Sequence, residues 1–162
     1  MSVDAAAATT QPIVGDIREA VLVEDLSRTQ IVQYAGASGD YNPLHSDELF
    51  ARKVAGVPTV FAHGMLTMGM TGRLITDWFG AAAITDYSAR FVAQVWPGDT
   101  LTGRATVTEV EAIEQTARGA ETTRVQLVLE TTNQRGETVL KGTATVELDR
   151  EVELPPAAGN ER

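Results

Sequence analysis

Residues His63 to Gly80, HGMLTMGMTGRLITDWFG, constrain the fold more than any other stretch. Met65, Leu66, Met68, Met70, Leu74, Ile75, Trp78 and Phe79 cover most of a helix circumference, the pattern of a helix buried on several sides. Gly64, Gly69 and Gly72 each cost such a helix about 1 kcal/mol relative to Ala. They predict that something packs close to its backbone. The chain must therefore supply a surface that encloses this helix.

The segment from Ala83 to Leu148 has the character of that surface. ITDYSARFVAQV is followed by the turn WPGD, and TLTGRATVTEVEAI runs into the polar loop EQTARGAE. TTRVQLVLETTN, the turn QRGE and TVLKGTATVELD complete the series. Alternation is clean in RVQLVLE and ATVEL, and β-branched Thr and Val abound. Long strands joined by short Gly-containing turns predict an antiparallel meander. One largely apolar helix plus such a sheet predicts an α+β single domain, the sheet wrapped around a central helix.

Upstream, VEDLSRTQIVQYAGASG places Leu26, Ile31, Val32 and Tyr34 at near-helical spacing, with Asp25 or Ser27 as N-cap and Gly36 and Gly39 at the end. Residues 1–12 read as a flexible leader, without the basic start of a signal peptide, and residues 150–162 as a flexible tail. The domain is expected to span residues 13–149. No stretch has the length and apolarity of a membrane span, so the expected compartment is the cytoplasm. The chain has 162 residues, no cysteine and a net charge of −9. Disulfides and thiolate chemistry are excluded, and a nucleic-acid partner is disfavoured for want of a basic face.

One short stretch is chemically loaded: YAGASGDYNPLH, Tyr34 to His45, sets Asp40, Asn42, Pro43 and one of only two histidines close together. Asn-Pro opens turns, and Pro43 holds Asn42 extended, so an irregular structural loop is one reading. The other is catalytic. A carboxylate and an imidazole on a loop can move a proton beside a carbonyl. His63 precedes Gly64 at a helix start, where free N–H groups and the dipole favour a developing oxyanion, and Gly64 removes a side chain there. For His63 itself, a histidine satisfied near a helix start competes with a ligand contact. A metal held by His45, His63 and Asp47 is possible by residue type, but no compact ligand spacing supports it. No cofactor is expected.

The stretch resembles the signature of the MaoC-like (R)-specific enoyl-thioester hydratases, or hydratase 2, which have the hot-dog fold. Tyr34, Gly39, Asp40, Asn42, Pro43, Leu44 and His45 match its pattern. PTVFAHGML is similar to the family's second landmark at the start of the central helix, and RFVAQVWPGDTL to its Arg-Phe and Pro-Gly-Asp segment. The departure is Gly69, where some members carry a helix Ser, with Thr67 two residues earlier. The resemblance implies that Asp40 and His45 are the acid/base pair and that the Gly64 N–H is the oxyanion donor. Asn42, Tyr34 and His63 would support them.

It further implies hydration of trans-2-enoyl thioesters, or the reverse dehydration, with the acyl group on coenzyme A or acyl carrier protein. Both carriers are anionic, so a basic mouth is expected from Arg52, Lys53, Arg73, Arg90 and Arg104. The Met residues of the central helix would line an acyl tunnel as well as the core. A second hot-dog subunit, identical or not, is expected against the open sheet edge. The helix sequence resembles catalytic subunits of mycolic-acid-type dehydratases. A non-catalytic acyl-binding subunit and a thioesterase are the alternatives.

Overall fold

A computed structural model describes residues 11–113 and 122–149. The polar loop and the C-terminal tail anticipated from sequence lie outside the described residues, as does the leader up to residue 10. Five strands form one antiparallel sheet: β1 (Ile17–Val23), β2 (Ile84–Phe91), β3 (Leu101–Ile113), β4 (Thr122–Asn133) and β5 (Thr138–Asp149). Helices α1 (Arg28–Ser38), α2 (Glu48–Lys53) and α3 (Gly64–Phe79) lie between β1 and β2.

Alternation in the strands produces the core directly. In β4, Val125, Leu127 and Leu129 face inward and are fully buried, with Ala105 and Val107 of β3 and Ala144 and Val146 of β5 beside them. Ile75, Trp78 and Phe79 of α3 pack onto this face. A second cluster of Leu26, Ile31, Ala62, Val95, Leu101 and Val139 lies at the α1 end. A curved antiparallel sheet laid along one central helix is the hot-dog architecture, the α+β fold expected from sequence.

Three details differ from the sequence reading. The sheet order is β1-β3-β4-β5-β2, so only β3, β4 and β5 form a meander. WPGD is a turn, with Gly98 at φ 91° and the Asp99 carboxylate accepting from the Trp96 N–H at 2.8 Å. It starts a crossover between opposite halves of the sheet and not a hairpin, because β2 pairs with β5 and β3 with β1. Strand β1 was not anticipated, since its edge position leaves it no clean alternation.

The third difference concerns α3. Met65, expected in the core, is 56% exposed, because the sheet covers only part of the helix. The exposed line continues through Gly69, Arg73 and Asp77. A Cβ on Gly64 would meet the Phe91 ring at 3.0 Å, and one on Gly72 would meet Tyr87 at 3.2 Å. These two glycines answer to close packing. Gly69 has nothing within 4 Å among the described residues, so close packing does not explain it.

Candidate active site

Local chemistry shapes the loop after α1. Ser27 caps the helix start in a capping box with Gln30. At the other end Gly39, at φ 75°, turns the chain out of α1, while Gly36, also expected to end the helix, lies inside it. The Asp40 carboxylate accepts from the Asn42 N–H at 3.2 Å, and the Asn42 side-chain Oδ1 accepts from the Leu44 N–H at 3.0 Å. Pro43 opens a 3-10 turn that ends at His45. Asn42 thus holds the loop in shape, and the loop reverses direction so that Asp40 and His45 come together.

His45 is almost fully buried, and its Nδ1 lies 2.7 Å from the Phe61 carbonyl oxygen. A carbonyl can only accept, so Nδ1 carries the hydrogen and Nε2 presents a lone pair. The same argument applies to His63, whose Nε2–H donates to the Asp40 backbone carbonyl at 3.0 Å. The two imidazoles stack with centroids 3.7 Å apart and planes inclined by 28°. Tyr34 packs against His63 at 5.0 Å, and Phe61 meets His45 edge-on at 5.2 Å. The Asp40 carboxylate, exposed on its loop, and one ring nitrogen of each histidine lie within 4.8 Å of one another.

Those three groups have the composition of a metal site, yet the geometry opposes it. Stacked rings direct their in-plane lone pairs side by side, whereas two imidazole ligands must point at one ion about 2.0–2.1 Å away. Asp47, the carboxylate first considered for that role, caps α2 by accepting from the Leu49 and Phe50 N–H groups at 2.8 and 3.0 Å.

A cavity of about 410 Å³ opens beside His45. Gly64 and Thr67 line it from the first turn of α3, with Phe61, Phe91 and Val139 among its apolar walls. Gly64 is the first residue of α3, so its N–H has no partner within the helix and lies at the positive end of the dipole. His45 and the bare helix start thus line one pocket, while Asp40 does not line it and stands behind His45 on the exposed loop.

The residues expected to form a basic mouth stand outside the cavity lining. None of Arg52, Lys53, Arg73, Arg90 and Arg104 lines the cavity. Arg52 is engaged by Glu48 at 2.8 Å and by the Pro58 carbonyl at 2.9 Å, Arg104 reaches toward Glu19, and Arg73 toward Asp77. Lys53 is exposed on α2, and Arg90 is exposed on β2 opposite Lys141. The Thr59 hydroxyl, with Arg28 and Arg52, holds the Glu48 carboxyl below its ordinary value. These cations therefore tie α1, α2 and the following loop together. Phe61 and Phe91 were not anticipated as site residues. Phe61 acts through its carbonyl, which no side-chain pattern reveals.

The fold and the loop define a hot-dog protein with an Asp and a His on a loop beside a helix start. The chain matches the family described as MaoC like domain over residues 8–129, and it belongs to that family. It is 49% identical over 67 residues to 3-hydroxyacyl-thioester dehydratase Y of Mycobacterium tuberculosis, a match covering 40% of this chain and 23% of that protein. It is 39% identical over 90 residues to the mitochondrial 3-hydroxyacyl-[acyl-carrier-protein] dehydratase of Arabidopsis thaliana, covering 56% and 52% respectively. The chain thus spans no more than about half of either relative.

Among solved structures, the MaoC-like dehydratase of Rhodospirillum rubrum superposes with a TM-score of 0.70 at 28% identity, covering 87% of this chain and 95% of that one. R-hydratase PhaJ1 of Pseudomonas aeruginosa gives 0.68 at 25% identity, covering 94% and 96%. These relatives and structures carry hydratase or dehydratase names, the type that the sequence motif resembles.

Proposed function

We propose that this protein is an (R)-specific hydro-lyase of fatty acid metabolism that adds water to trans-2-enoyl thioesters or removes it from (3R)-hydroxyacyl thioesters. The observation that carries the reading is the tautomer of His45. With Nδ1–H held by the Phe61 carbonyl, Nε2 is left to take a proton, and the Asp40 carboxylate lies within 4.8 Å of a nitrogen of this ring. The R-hydratase neighbour and the dehydratase relatives support the reaction class.

In hydration, a water is held between Asp40 and His45. Its oxygen bonds to C3 while the pair takes its proton. The C2–C3 π electrons move toward the thioester oxygen, which the Gly64 N–H stabilises, and the pair then returns a proton to C2. One O–H bond breaks, and one C–O and one C–H bond form. In comparable sites an oxyanion donor contributes about 3 kcal/mol. Dehydration is the same path reversed. Asn42 and Tyr34 support the loop. The apolar walls accept the acyl chain, whose carrier is coenzyme A or acyl carrier protein. A second hot-dog subunit, identical or not, pairs with an open edge of the sheet. Among the described residues no helix is long and apolar enough to cross a membrane, and we assign the protein to the cytoplasm.

The test is the loss of enoyl absorbance when crotonyl-CoA and a panel of longer trans-2-enoyl thioesters meet the protein, with product stereochemistry assigned. Asp40→Asn and His45→Gln are each expected to slow the reaction by about 10²–10⁴-fold with the fold intact, the range for a lost general acid or base. Release of free thiol without hydration would make the protein a thioesterase. No turnover of any chain length, with a partner subunit supplied, would make it an acyl-binding subunit.

A further inference from the structure

His63 is 1% exposed, and its Nδ1 has no hydrogen-bond partner among the described residues. A buried ring nitrogen without a partner is a defect that an apolar side chain of the same volume would avoid. Packing alone therefore gives no reason for a histidine. Capping gives none either, since His63 occupies the N-cap position of α3 without a side-chain cap bond. Two contacts do use its chemistry. Nε2–H holds the Asp40 backbone carbonyl across a sequence separation of 23, and one ring face lies on His45 at 3.7 Å. Tyr34 packs against the same ring.

We propose that His63 is a positioning residue that fixes the distance and orientation between Asp40 and His45, locked as its Nε2–H tautomer by the Asp40 carbonyl. It touches the main chain of one member of the pair and the ring of the other. The two stacked imidazoles therefore carry their hydrogens on different nitrogens, His45 on Nδ1 and His63 on Nε2, each set by a backbone carbonyl. Moving the His63 hydrogen to Nδ1 would turn two lone pairs toward each other at Asp40 and release the loop. The orphaned Nδ1 is thus the consequence of a bond made on the opposite side of the ring. This deepens the proposed function, because the pair being positioned is the acid/base pair of that reading.

The protein's two histidines make the tautomers directly observable. Long-range imidazole ¹H–¹⁵N correlation of the full chain at pH 8, assigned with His45→Gln, should show one Nδ1–H and one Nε2–H ring, the latter His63. Two substitutions divide its contacts: His63→Phe keeps the stacked ring without the donor, and His63→Gln keeps an N–H at a similar reach without the ring. In His63→Phe the Leu44 and His45 amides should exchange about tenfold faster as the loop loosens. Its kcat should fall roughly 100-fold, as for a misplacement near 1 Å, with KM within about twofold. His63→Gln should recover at least part of both losses.

An Nδ1–H tautomer at His63, or unchanged amide exchange and kcat in His63→Phe, overturns the proposal. Should His63→Phe fail to fold, the tautomer and the rates of His63→Gln decide. The tautomer and exchange measurements do not depend on turnover. An inactive wild-type enzyme would therefore refute the proposed reaction while leaving this assignment to be judged on its own.

Discussion

Replacing Gly64 by Ala separates the helix start as a structural element from the helix start as an oxyanion donor. An added Cβ meets Phe91 Cδ2 and Cε2 at 3.0 Å and Cγ at 3.1 Å, whereas carbon pairs prefer roughly 3.5–4.0 Å. Phe91 is 46% exposed at the end of an edge strand, so its ring can withdraw by the missing half ångström without disturbing the core. The contact then costs stability about 1 kcal/mol, and the higher helix propensity of Ala offsets a similar amount. The melting temperature is expected to stay within roughly 2–4 °C of wild type, the shift that 1 kcal/mol produces in a chain of this size.

Catalysis should respond very differently. The new methyl stands in the wall where the thioester must approach the Gly64 N–H. Losing that donor is worth about 3 kcal/mol, or roughly 100-fold in kcat. The assay is enoyl absorbance decay followed to kcat and KM, beside thermal unfolding of the same preparation. Adding Phe91→Ala relieves the steric contact, so the double variant should regain any lost stability but not the rate. Wild-type turnover in Gly64→Ala would refute the reasoning. So would full rate recovery in the double variant, which would make crowding by Phe91 the cause.

Two further predictions address the frame around the site. Thr71 Oγ1 bonds to Thr131 Oγ1 at 2.7 Å where α3 crosses β4, both residues being fully buried. Thr71→Val strands the Thr131 hydroxyl and should cost about 1–3 kcal/mol in urea unfolding, with Thr71→Val/Thr131→Val recovering much of it; equal losses in the single and double variants would refute this. The Tyr87 hydroxyl donates to the Met68 carbonyl at 2.7 Å, and burial pushes the phenol up to about 12, with Thr71 pulling the other way. The folded chain therefore binds this proton more tightly than the unfolded chain. Its contribution is complete below pH 10 and is lost as pH rises through about 12. Urea midpoints between pH 9 and 12 should fall less steeply in Tyr87→Phe than in wild type, and equal slopes would contradict the assignment.

Much of the site was legible because its construction is local. Gly39 permits the left-handed turn out of α1, and Asn42 and Pro43 shape the following turn with bonds no more than four residues long. The start of α3 at His63 and Gly64 was equally readable, since apolar spacing and glycine placement mark it. Buried alternation announced β4 and β5. Strand β1 carried no such signal, because an edge strand is only half-packed and its side chains follow no strict pattern.

The sequence by itself determined that an acid, an imidazole and a helix start would be presented by an α+β domain with its sheet wrapped around one helix, because turns, caps and strand periodicity depend on neighbouring residues. Only the tertiary structure decided that β2 would close against β5, that Arg52 would pair with Glu48, and that His63 would stack on His45. Those outcomes depend on packing between residues distant in the chain, where many pairings satisfy local chemistry and only the enclosed volume around α3 selects among them.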